Sequence, residues 1–197
     1  MSQTVLKRQT PAVAALQKVQ EALQNTGAPV PIPKPSSDPE KLLLDGDSFT
    51  LESFTTEDAF VLGNLLYARL LSFAKATPAL ISIALANSSQ VIFQTVTGPG
   101  TVPDNESWVR RKRNTVLRFG HSSWWMHNKF EGDEVKFGSI FAISDDQKCN
   151  YAIHGGAIPI RIKGVEGIVA TVIVSGLKQD EDHGVIVDVI KEHWKES

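Results

Sequence analysis

A single cysteine, Cys149, stands in the 197-residue chain. No intramolecular disulfide framework can form, and this usage fits a reducing compartment, with the cytoplasm as the default. Basic excess is also lacking: 20 Lys and Arg stand against 22 Asp and Glu, a formal net charge of -2. That balance argues against general nucleic-acid binding and leaves room only for a local basic patch. No apolar run approaches the length that spans a bilayer. The opening MSQTVLKRQTPAVAALQKVQ is interrupted by Lys7, Arg8 and Gln9, so it does not read as a secretory signal, and no membrane association is expected. Two Asn-x-Ser triplets, at Asn87 and Asn105, match the glycosylation pattern and are accidental without secretion.

What is present is an ordinary globular balance, with 42% hydrophobic and 21% charged residues, enough for one core with an appended arm. Residues 1–48 form that arm. Val13, Leu16, Val19 and Leu23 fall at helical spacing between Pro11 and Asn25, and Gly27 ends the helix. APVPIPKPSSDPE follows, where prolines 29, 31, 33, 35 and 39 favour an extended conformation. It reads as a tether, or as a ligand for a proline-recognising module.

The main domain, residues 49–197, opens with a helix capped by Thr55 or Thr56 and running to about Ala76. LISIALA and VIFQTVT form a hairpin through NSSQ. After GPGTVP, Asp104 or Asn105 caps a long helix that runs to about His127. IFAIS reads as a brief strand or the end of an irregular excursion. NYAIHGGAIPIRIKG reads as two strand pieces around a Gly-Gly bend, and GIVATVIVSG as a central strand. A last helix spans roughly Gln179 to Trp194. The expected fold class is α+β, with helices on a largely antiparallel five-stranded sheet.

Three constellations carry polar groups suited to chemistry. On the long helix, at about 100° per residue, Trp108, Phe119 and Met126 share one stripe with Val109 and Val116 beside it. Arg111, Arg118 and Ser122 lie on its edge. They read either as a grip for a carboxylate or phosphate, or as bridges to acidic residues at a subunit or strand edge. His121 and His127 point apart on a continuous helix, and neither an H-E-x-x-H motif nor a cysteine pair occurs, so no metal site is expected. Gly120 weakens the helix before His121, inviting a kink. In IHGGAIPI, Gly155 and Gly156 allow close backbone approach, and His154 at its lip is either a ligand-facing base or a satisfied strand histidine. In VSGLKQDEDHG, a helix start offers free N–H groups. Its acidic run answers the helix dipole, leaving His183 as the unusual member.

PDNESWVRRKRNTVLRFGHSS, HGGAIPI and SGLKQDEDH together resemble uncharacterised protein family 0303, within the haem-degrading-domain group of GlcG-like and HbpS-like proteins. The resemblance covers about Phe49 to Trp194. The group's K-x-x-T-A form falls on Lys112 and Thr115, with Val116 in place of alanine; its Gly-Gly bend and Pro-Ile fall on Gly155, Gly156, Pro159 and Ile160. Its V-S-G strand end falls on Val174 to Gly176, with Gln179, Asp180 and Glu181 beyond. The resemblance implies a profilin-like α/β/α fold assembling as a homo-oligomer, a dimer or a ring of dimers, and carries His121, Ser122, His154 and His183 into one shared pocket.

Three functional expectations follow. In the first, Arg111 and Arg118 grip a small acidic ligand, with His121, Ser122, His154, Gly155, Gly156 and His183 completing the pocket. Haem is one candidate cofactor, its iron on His121 or His154 and its ring on Trp124 or Trp125, although tryptophans also serve as core or interface residues. In the second, the oligomer is an adaptor presenting its N-terminal arm to a protein partner. The third, hydrolysis by Ser122, requires a histidine beside its hydroxyl.

Overall fold

The computed structural model describes residues 4–197. In chain order the elements are β1 (Val5–Arg8), α1 (Ala12–Gln24), α2 (Pro39–Leu44), β2 (Phe49–Leu51), α3 (Thr56–Leu70), β3 (Leu80–Leu85), β4 (Val91–Val96) and α4 (Pro103–Phe119), followed by α5 (Ser123–Lys129), α6 (Glu134–Ile140), α7 (Asp145–Lys148), β5 (Ala157–Ile162), β6 (Ala170–Ser175), α8 (Gln179–His193) and β7 (Trp194–Glu196). The α+β class holds, but the sheet is not five antiparallel strands. It has seven, in the order β4-β3-β6-β5-β2-β1-β7, and it is mixed, because β2 runs parallel to both β5 and β1. Strands of three or four residues carry too little periodicity to be read from sequence.

Alternation along the central strands splits the core. Ile81 and Ile83 of β3, with Val172 and Val174 of β6, face α3 and α8, whereas Leu80 and Ile173 face Val109 and Val116 of α4. Helices therefore cover both faces. A third, largely aromatic cluster packs α5 and α6 through Trp124, Trp125, Phe130 and Phe137. Thr55 starts α3 with a reciprocal cap: its hydroxyl accepts from Asp58 N–H at 3.2 Å while Asp58 accepts from Thr55 N–H at 2.7 Å. That helix stops at Leu70, short of Ala76.

The long helix expected to reach His127 is two helices. Gly120 adopts φ +77 as the left-handed end of α4, and its N–H bonds Val116 O. Ser122 then caps α5, its hydroxyl accepting from Trp125 N–H at 3.0 Å. IFAIS contributes no strand, since it is the end of α6 and a turn, and of the two strand pieces expected around the Gly-Gly bend only the one after it, β5, forms.

The N-terminal segment is woven into this body. β1 lies between β2 and β7, and Ala15 of α1 is wholly buried in the core. The proline stretch is a strap held by its carbonyls. Arg69 donates to Val30 O and Pro31 O at 3.0 Å each, Trp124 Nε1 to Ser36 O at 2.8 Å and Trp125 Nε1 to Pro39 O at 3.1 Å. Acceptor-only recognition suits a segment whose prolines have no N–H to offer. Gly184 of α8 leaves room for it, because a Cβ there would sit 2.5 Å from Pro33 O.

Candidate functional site

The end of β6, the first turn of α8 and one face of α4 enclose an open cleft of about 620 Å³, lined among others by Asn105, Trp108, Lys112, His154, Lys178 and Asp182. Its inner wall is a charge pair removed from water. Lys112 Nζ donates to Asp182 Oδ2 and to Val174 O at 3.2 Å each, and both side chains are only 4% exposed. Asp182 also accepts from Leu177 N–H at 3.0 Å and Gly176 N–H at 3.4 Å. Burial raises its pKa above the ordinary carboxylate value, against the pull of Lys112 and these donors.

The Gly-Gly bend exists because this pair and α8 press against it. Gly156 has φ +108, and a Cβ on it would lie 2.4 Å from Val174 O, 2.7 Å from Asp182 Cβ and 2.9 Å from Lys112 Nζ. A Cβ on Gly155 would lie 2.2 Å from Gln179 O and 3.0 Å from the Trp124 ring. No side chain larger than hydrogen fits either place without moving backbone.

His154 stands at the rim, half-exposed. Its Nε2 lies 3.4 Å from Glu134 Oε1, and its ring meets Trp108 edge-on at 4.8 Å. The hydrogen bond from His154 is the main force holding the Glu134 carboxyl below its usual pKa. Arg111 spans the same rim, its guanidinium 4.5 Å from the Trp108 ring centroid and its Nε donating to Tyr151 O at 3.0 Å. Behind His154, His127 stacks on Trp124 at 5.0 Å and lies 3.3 Å from the Gln179 amide nitrogen. Burial, then the nearby His154, lowers the His127 pKa.

Of the residues singled out from sequence, His154 lines the cleft, Gly155 and Gly156 pack against residues of its wall and Arg111 stacks on Trp108, while the others lie elsewhere. Arg118 is exposed and donates to the Tyr151 hydroxyl at 2.8 Å. His121 Nδ1 lies 2.8 Å from the buried Asp47 and its ring stacks on Trp125 at 3.9 Å. Asp47 also accepts from Ser122 N–H at 2.7 Å, and the Ser122 hydroxyl is buried as a helix cap. His183 is fully buried, and neither ring nitrogen has a well-formed hydrogen bond among the described residues. Burial pushes its pKa down to about 3, against the Asp47 charge and the Gly46 backbone. RFGHSSWW thus ends one helix, caps the next and pins the strap.

The cleft depends on residues that composition and spacing passed over. Lys112 was given no role of its own, Asp182 read as a dipole-answering carboxylate, and Trp108 as core. The signal for Lys112 was its place in the K-x-x-T form, with Thr115 one turn on and also buried. Together these groups present ammonium, imidazole and indole surfaces to the cleft, and no hydroxyl nucleophile is seated beside a histidine among them.

Comparison with known proteins places the chain. The family described as Haem degrading protein HbpS-like matches residues 54–191. A UPF0303 protein of Streptomyces avermitilis is 36% identical over 159 residues, covering 81% of this chain and 91% of that protein. The Saccharomyces cerevisiae UPF0303 protein YBR137W is 40% identical over 133 residues, covering 68% and 71%. The crystal structure of the Ybr137w protein superimposes with TM-score 0.70 at 36% identity, over 78% of this chain and 85% of that one. The crystal structure of HbpS gives TM-score 0.52 at 15% identity, over 70% and 87%, a likeness of fold alone.

Proposed function

The chain belongs to the haem-degrading HbpS-like family, among its UPF0303 proteins, and from that premise we propose that it binds a small acidic ligand, with haem the leading candidate, in the cleft between α4 and the start of α8. The observation that carries this reading is the buried Lys112–Asp182 pair in the wall of an open cleft. A buried ion pair is a poor stabilising device. An ammonium has three donors; Val174 O and Asp182 take two, leaving the third for a ligand oxygen. Lys178 and Asn105 add a second polar contact region at the mouth.

Haem suits this donor set. His154 is the imidazole that lines the cleft, Trp108 offers an indole to the ring, and Lys112 and Lys178 offer cations to the propionates. Bound haem would supply redox chemistry; the protein's own part is to hold the acid groups and position His154 against Glu134. The experiment is a titration of the full chain with haemin, followed by absorbance. His154→Ala and Lys178→Gln each weaken saturable binding at least tenfold, and His121→Ala leaves it unchanged. Equal binding by all four proteins overturns the reading.

A second reading, in which a protein partner or another copy of the chain covers α1, is favoured by the outer face of that helix, where Val13 and Leu23 are 77% and 64% exposed. Val13→Asp/Leu23→Asp abolishing self-association or partner capture while the haemin titration stays unchanged supports it. Among the described residues no helix is long and apolar enough to cross a membrane. The single, exposed Cys149 supports a reducing, cytoplasmic setting.

A further inference from the structure

A second cavity, of about 640 Å³, lies away from the cleft, where the α2–β2 connection meets β1 and β7. About half of its wall is apolar, from Leu6, Leu43, Leu44, Phe49 and Trp194. Leu43 and Leu44 are 53% and 75% exposed. Leucines at consecutive positions at a cavity's lip, left out of every core cluster, are surface that binding would cover.

Two further observations give the occupant a polar end. Trp194 is 2% exposed, and its Nε1 has no hydrogen-bond partner among the described residues. Indole N–H is a donor only, so the group it lacks is an oxygen acceptor. At the rim, Lys191 is engaged by Asp45 at 2.5 Å. Lys195 donates to Lys191 O at 2.6 Å and makes no ion pair among the described residues. Glu196 stands at the same rim, so the local charge sums to zero and a carboxylate has to be drawn to Lys195 past Glu196.

We propose that this cavity binds a medium-chain acyl carboxylate, its chain covering Leu43 and Leu44 and its head oxygens meeting Trp194 Nε1 and Lys195. The site is separate from the cleft and does not depend on the haem reading. A volume of about 300–1,000 Å³ is the usual size of small-ligand sites, and a wall divided between apolar and polar groups suits a ligand with an apolar chain and a charged head.

The test titrates the full chain with dodecanoate below its micelle concentration, by calorimetry and by the Trp194 indole N–H resonance. Saturable binding that shifts this resonance is expected. Leu44→Asp, at an exposed position that leaves the fold intact, weakens binding at least tenfold; Lys195→Gln weakens it several-fold and Glu196→Gln tightens it. Trp108→Ala, in the cleft, has no effect. Absence of saturable binding, an unmoved indole resonance, undiminished binding by Leu44→Asp, or equal binding of methyl dodecanoate overturns the proposal.

Discussion

Replacing Lys112 by Met keeps the aliphatic stem and removes one partner of a pair whose side chains are each 4% exposed. Breaking a buried pair from one side costs about 3–5 kcal/mol, because the remaining charge stays buried. Asp182 retains Leu177 N–H at 3.0 Å and Gly176 N–H at 3.4 Å, which places the loss near 3 rather than 5 kcal/mol. Its pKa, already raised by burial, rises further without the ammonium. A folded carboxyl with a raised pKa binds a proton that the unfolded chain has released, so the stability it contributes falls as pH rises from about 4 through the folded pKa. The variant is therefore most damaged at pH 8 and partly rescued at pH 5, each unit of additional pKa shift being worth about 1.4 kcal/mol. Urea unfolding of wild type and Lys112→Met, followed by circular dichroism at both pH values, reads the difference. A loss below about 0.5 kcal/mol at pH 8, the range of ordinary surface substitutions, or a loss that grows towards acid, refutes the reasoning.

His183, depressed to about 3 by burial, lets the unfolded chain take a proton that the folded chain refuses. Stability falls as pH drops below 6.5, and His183→Leu flattens that limb in urea melts between pH 6.5 and 4. Gly156→Ala and Gly164→Ala both place alanine at positive φ, but only at Gly156 does the Cβ meet other atoms. Denaturation should show about 1–2 kcal/mol lost at Gly164 from strain alone and at least about 2 kcal/mol more at Gly156 from overpacking. Trp124→Phe keeps a ring and deletes the bond to Ser36 O. It costs about 1 kcal/mol, and hydrogen exchange should rise first in the amides of residues 30–38.

The parts of the fold legible in sequence were those that repeat or announce themselves. β3 and β4 stood out as β-branched runs around NSSQ, and α3 began at a Thr with an acid three residues on. The sheet's far half was not legible. Val5–Arg8 is two apolar residues followed by two charged ones with no alternation, Phe49–Leu51 is three long, and Trp194–Glu196 follows a helix without a break, so all three exist as strands because neighbours pair with them. The prolines announced an extended segment, but nothing local told that Arg69 and two tryptophans would bind its carbonyls. At the site, the Gly-Gly bend was visible as a place of close approach. What it approached was hidden, since Lys112 and Asp182 lie 70 positions apart and each has an ordinary local explanation. The histidines misled for the converse reason: His121, His154 and His183 differ in sequence only by neighbours, and burial sends them to a buried carboxylate, a cleft rim and the core.

The most direct measurement is a ¹H–¹⁵N NMR titration of the full chain with haemin, whose iron broadens nearby amide signals. The account predicts that His154, Lys178, Gln179 and Asp180 broaden first and saturate together. Broadening centred on His121 and Asp47, or around Leu43 and Gly46, or none at saturating haemin, would contradict it.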